Sequence, residues 1–194
     1  MEKYRGEIPK EELKDFPVRK FEGDVIVVDT PDKVNSAVKE LRKSDIVGFD
    51  TETKPSFKKG RRNKVALLQL ATLDKAYLFR LSDIGLPSIL RDFLSEARIM
   101  KTGVAISDDI KGLREWGEFK PGGFIELQEM VKDYGIVSMG LKKLTAIILG
   151  FTISKRQQVT NWENEKLSDA QIRYAATDAW VCNLIYRQLL NEEN

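Results

Sequence analysis

Asp45-Ile46-Val47-Gly48-Phe49-Asp50-Thr51-Glu52-Thr53 decides how the rest of the chain is read. The run from Asp45 to Asp50 is short, apolar and partly β-branched, which predicts a buried strand rather than a helix. It ends in two acids one residue apart. On an extended chain Asp50 and Glu52 project to the same face. Paired acids there repel one another unless something positive neutralises them. A divalent cation held through oxygen ligands is one such charge. An exposed strand end with solvated acids is the other reading, and a D-x-E pair alone is a weak signal.

Working outward, Asp24–Val28 is a second β-branched run, and Asp29-Thr30-Pro31-Asp32 supplies a cap and a proline just inside a helix start. Val34, Ala37, Val38 and Leu41 recur at helical spacing, predicting an amphipathic helix over 32–43. Downstream, Lys64–Thr72 and Ala76–Leu81 are apolar runs separated by Leu73-Asp74-Lys75, which predicts a hairpin. Leu86–Ser95 reads as a helix, Arg98–Thr102 as a strand and Ile106–Trp116 as a helix. Ile125–Tyr134, Gly140–Leu149 and Ser168–Leu190 read as helices. A hairpin is antiparallel, and strands joined through helices are parallel. The fold class expected is α/β: a mixed β-sheet, antiparallel strands first and parallel crossover strands after, flanked by helices. Residues 1–22, with Pro9 and Pro17 around a charged stretch, are expected to form an N-terminal extension to a domain over 23–192.

Composition narrows the chemistry. The 194 residues hold 32 Lys and Arg against 30 Asp and Glu, so any nucleic-acid or membrane partner needs a local patch. There is no histidine, which excludes triads with a His base and HExxH zinc sites. One cysteine, Cys182, makes neither an internal disulfide nor a thiolate zinc cluster. Carboxylates, Tyr, Lys or a carboxylate-bound hard cation remain. No signal peptide or spanning apolar run is visible, so a cytoplasmic chain with no membrane partner is expected.

Two further segments carry acids. Gly103 leads into a helix with Asp108 and Asp109 near its start. Either acid could favour the positive helix end, while Asp109 shares a face with Leu113 and is placed to point inward. Tyr174 and Asp178 lie four apart on a helix, on one face and one turn apart. Tyr174 is there to orient a water beside Asp178, or is an ordinary core residue.

Together Asp50-Thr51-Glu52, Asp109 and Tyr174-x-x-x-Asp178 resemble the motifs of the DEDDy-type 3′–5′ exonucleases, the family of ribonuclease D and of the Werner syndrome helicase exonuclease domain. The likeness extends to Lys64-Val65-Ala66-Leu67-Leu68-Gln69-Leu70, Gly103-Val104-Ala105-Ile106 and Asn161-Trp162, and covers roughly residues 24–190. The sister branch of the family carries a histidine before its last acid, which this chain lacks. The resemblance implies a ribonuclease H-like fold. It implies two divalent metal ions, Mg²⁺ or Mn²⁺, held by Asp50, Glu52, Asp109 and Asp178, with Asp50 bridging both. Tyr174 would position the attacking water. It implies hydrolysis from the 3′ end of DNA or RNA with release of nucleoside 5′-monophosphates.

The stretch Lys58-Lys59-Gly60-Arg61-Arg62-Asn63-Lys64 holds five positive charges, suited to sequence-independent phosphate contacts. Arg156 extends the same expectation, beside Lys155 in a stretch read as a mobile lid or strand guide, or as a plain surface loop. Trp162 is a candidate for stacking on a base, or a packing residue. Two rival readings share the fold: an inactive nucleic-acid-binding module and a metal-dependent endonuclease.

Overall fold

In the computed structural model, residues 3–56 and 63–193 are described. Strand β1 (Asp24–Val28) leads into helix α1 (Pro31–Leu41), and β2 (Ile46–Thr53) follows. The hairpin of β3 (Val65–Ala71) and β4 (Lys75–Arg80) comes next. Two helices, α2 (Leu81–Ile84) and α3 (Ser88–Ser95), then precede β5 (Met100–Gly103) and α4 (Ile106–Arg114). The chain closes with β6 (Phe124–Glu126), α5 (Leu127–Met130), α6 (Leu141–Leu149) and α7 (Asp169–Glu193).

The six strands form one sheet in the order β1-β4-β3-β2-β5-β6. β2, β3 and β4 pair antiparallel, as a hairpin dictates. β1 joins β4 in parallel, as do β5 with β2 and β6 with β5, and β5 and β6 are each reached by a crossover. The expected mixed sheet is therefore present. β3 is buried along its whole length because both faces are covered.

One expected element divides. The apolar run from Ile125 to Tyr134 is not a single helix. Phe124–Glu126 pairs with Lys101–Gly103 as the edge strand β6, then α5 and a 3-10 turn over Val131–Tyr134 follow. Three residues of strand are too short to show a period, and parallel pairing with β5 overrides local helix preference.

Helix α7 lies across the sheet and sets the geometry of everything that follows. Ser168 and Gln171 begin it with a reciprocal cap: the Ser168 N–H donates to Gln171 Oε1 at 3.1 Å, and the Gln171 N–H donates to Ser168 Oγ at 3.3 Å. Ala175, Ala176 and Ala179 make its sheet-facing side small and fully buried. Gly48 answers them on β2. A Cβ there would sit 1.7 Å from the Ala179 carbonyl oxygen. Asn183 Nδ2 then donates to the Ile46 and Ala71 carbonyls at 3.2 and 3.0 Å, tying α7 to β2 and β3.

Residues before β1 pack on this frame. Ile8 and Leu13 are buried against Ala146 of α6. Phe21 is buried among Ala71, Ala76, Ala176 and Ala179.

Candidate active site

The close approach of α7 to β2 is what assembles the site. Asp50 and Glu52 leave β2 on the face that α7 covers, and Asp178 comes down from α7. One oxygen from each of these three carboxylates lies within 4.8 Å of the others. They stand in a cavity of about 760 Å³, lined also by Tyr174, Lys155, Val104, Gln128 and the turn before α6. Tyr174 is one helical turn before Asp178, as its spacing requires.

Crowding acids out of water makes their ionised forms costly. Burial, reinforced by the charges of Asp178 and Asp109, pushes the Asp50 carboxyl well above its ordinary range. Glu52 is pushed up to about 10, by burial first and then by Asp50 and Asp178. Asp178 is raised by burial, with Lys155 and Tyr174 pulling the other way. Burial and the Asp178 charge push the Tyr174 hydroxyl above its usual value, so it stays protonated near neutrality.

Asp109 is placed differently. The Thr51 hydroxyl donates to Asp109 Oδ1 at 2.5 Å. Thr51 sits between the two acids of β2, so its side chain reaches toward the other face, into a smaller cleft of about 390 Å³ that Asp109 and Asp108 line. Asp109 is pushed up to about 6, chiefly by burial, with the Thr51 bond opposing. Asp108 is exposed and paired with Lys111 at 3.0 Å. Of the two candidate acids on α4, Asp109 is the half-buried one and the one bonded to β2. It adjoins the other three through Thr51 and is not one of the three that converge.

The donor set suits a hard cation. All the convergent ligand atoms are carboxylate oxygens, and Asp178 Oδ1 is buried with no well-formed hydrogen bond among the described residues. A divalent ion would offset the burial cost of these charges and the mutual repulsion that helps raise Asp50 and Glu52.

A model of the 3′–5′ exonuclease family matches residues 25–193. This chain belongs to the 3′–5′ exonuclease family. It is 35% identical over 158 residues to the bifunctional 3′–5′ exonuclease/ATP-dependent helicase WRN of Mus musculus, covering 78% of this chain and only 11% of that protein. Among solved structures, the EXO domain of Aedes aegypti Nibbler superposes with a TM-score of 0.81 at 25% identity, covering 90% of this chain and 92% of that one. A Trypanosoma brucei RNase D solved with RNA U12 shares the fold, with a TM-score of 0.76 at 21% identity over 88% of this chain and 63% of that one. The fold is the ribonuclease H-like one of these exonuclease domains.

Lys155 is the residue whose place in this site the sequence concealed. Its Nζ lies 3.6 Å from Asp178 Oδ2. Its neighbour Arg156 instead lines a second groove with Arg19, Lys20 and Arg173. Glu126, at the end of the overlooked strand, accepts from the Ala105 and Ile106 N–H groups at 3.0 and 2.8 Å and so anchors the start of α4. Trp162 does not stand ready to stack on a base. It is fully buried, with its ring 5.9 Å from that of Tyr174. The apolar floor made by Ala66, Leu67 and Leu78 takes it inward, where it backs the tyrosine. Lys64 is exposed, with Nζ 4.8 Å from the centre of the Trp116 ring. Lys58, Lys59, Arg61 and Arg62 lie outside the described residues.

Proposed function

We propose that this chain hydrolyses nucleic acid stepwise from the 3′ end and releases nucleoside 5′-monophosphates. The convergence of Asp50, Glu52 and Asp178 within 4.8 Å, with Tyr174 one turn from Asp178, carries this reading. Two divalent ions, Mg²⁺ or Mn²⁺, would be held by Asp50, Glu52 and Asp178, with Asp109 contributing across Thr51. When bound, they supply the positive charge that offsets charge building on the scissile phosphate and acidify the attacking water.

The chain's own groups do the positioning. Tyr174, kept protonated, offers a hydroxyl beside Asp178 to orient that water. Trp162 behind it fixes the ring. Lys155 brings an ammonium to the same side of the cavity, placed to face a phosphate oxygen. The family, the nucleic-acid substrates of its members and the acid cluster support this assignment together.

Digestion of a 5′-labelled oligonucleotide, as DNA and as RNA, tests it. With Mg²⁺ or Mn²⁺ a ladder should shorten from the 3′ end, and EDTA or Asp50→Ala should abolish it. Cutting of a closed circular substrate would instead establish an endonuclease. No cleavage of any substrate, with binding retained, would establish a binding module.

A further inference from the structure

Helix α6 begins at the wall of the catalytic cavity, which Ser138, Met139, Gly140, Leu141 and Lys142 help to line. The first N–H groups of any helix need an acceptor, and a Ser, Thr, Asp or Asn at the cap position normally provides one. Here the cap residue is Gly140, and no side chain caps the helix. The N–H groups of Leu141 and Lys142 meet no acceptor among the described residues. The first turn of α6 carries no acid. A Cβ built on Gly140 would meet nothing within 4 Å, so the terminus opens onto free space.

A second observation points to the same occupant. Ser138 is only 5% exposed, and its Oγ has no hydrogen-bond partner among the described residues. A buried hydroxyl left unpaired is costly. The turn that presents it is nevertheless held in place. The Val137 N–H donates to the Gly6 carbonyl at 2.8 Å, and Gln128 Nε2 donates to the Met139 carbonyl at 2.8 Å. Glu7, the acid beside this turn, is 3.6 Å from Lys143 Nζ. The wall of the cavity thus offers a rigid set of donors, with Lys142 beside it, to an anion rich in acceptor oxygens.

We propose that the N-terminus of α6 and Ser138 form a phosphate subsite for an internucleotide phosphodiester of the substrate strand, upstream of the bond being cut. This rests on the exonuclease reading, since that reading brings a polyphosphate strand into the cavity. The subsite gives the strand a second anchor and favours substrates longer than a dinucleotide.

The test compares kcat/KM for a tetranucleotide with that for a 5′-hydroxyl dinucleotide, whose only phosphodiester is the scissile one. Ser138→Ala removes the hydroxyl. Gly140→Asp supplies the missing cap and a repelling charge, and Gly140 has φ −83° and ψ 136°, which any residue adopts. Both variants should lower the tetranucleotide-to-dinucleotide ratio about tenfold, through KM. Gly140→Asp should do so while melting at or above the wild-type temperature, because aspartate caps the helix. An unchanged ratio, or an equal loss on both substrates, overturns the subsite. If the wild type cleaves neither substrate, the exonuclease reading itself fails. Fluorescence anisotropy of a labelled tetranucleotide in EDTA then decides: equal affinity of wild type and Gly140→Asp overturns the subsite, and a tenfold loss supports it. Competition by thymidine 5′-monophosphate that Gly140→Asp abolishes, with the length ratio unchanged, would assign the site to the product and overturn it for the strand.

Discussion

Lys155 holds its ammonium 3.6 Å from Asp178 Oδ2, beside the cluster of carboxyl groups. Among the described residues it is the cation whose charge lowers Asp50, Glu52 and Asp178 alike. Lys155→Met keeps the length of the stem and removes the charge. In EDTA near pH ~8 the variant should be less stable by about 1–2 kcal/mol, less than for breaking a fully buried pair because the lysine is partly exposed. The deficit should shrink on acidification, as the partner carboxyl of Asp178 takes up a proton, and in millimolar Mn²⁺. Thermal melts under the three conditions measure this, and an equal deficit in all of them would assign Lys155 to packing alone.

Helix α4 is oriented by an acid from a different strand. Ala105 enters it with φ 60°, a left-handed conformation that costs a residue with a Cβ about 1–2 kcal/mol. The Glu126 carboxylate offsets that strain by accepting from Ala105, Ile106 and Gln128 N–H groups. Removing it leaves three donors unpaired. Glu126→Ala should cost about 2–4 kcal/mol in urea unfolding and should reduce exonuclease rate, because Asp109 rides on the first turn of the same helix. Full stability in that variant would show that water replaces the carboxylate. The contact between α7 and β2 is less forgiving. Gly48→Ala places a methyl against the Ala179 carbonyl. The helix must shift, carrying Asp178 and Tyr174 with it, so the expected loss is at least about 3 kcal/mol together with metal-dependent activity. Retention of both would mean that α7 moves without altering the site.

Charge in the cluster links stability of the domain to pH and metal. Glu52 ionises near 10 in the folded chain, against an ordinary value near 4.5. Between those values the folded state keeps a proton that the unfolded chain has released. In EDTA, stability should therefore fall as pH rises from about 5 toward 9. A divalent ion replaces the proton and binds only the folded cluster, so millimolar Mg²⁺ or Mn²⁺ should raise the melting temperature, most at the alkaline end. Melts that rise with pH in EDTA, or ignore both ions, would count against a metal centre at these residues.

The strands, the long helices and the acid face of β2 were legible along the chain because each depends on local periodicity. Asp50 and Glu52 share a face by strand geometry, and Tyr174 and Asp178 share one by helix geometry, whatever they pack against. The alternation of hairpin and crossovers likewise dictated a mixed sheet. Long-range packing settled the remainder. β6 exists because β5 offers it an edge, not because three residues prefer extension. Trp162 turned inward because an apolar floor lies beneath it, which no neighbour in sequence reveals. Lys155 and Arg156 are adjacent, yet one faces the acids and the other a separate groove, a division made by how that segment crosses α7. Spacing sets which side chains share an element's face, and the meeting of distant segments sets what that face encounters.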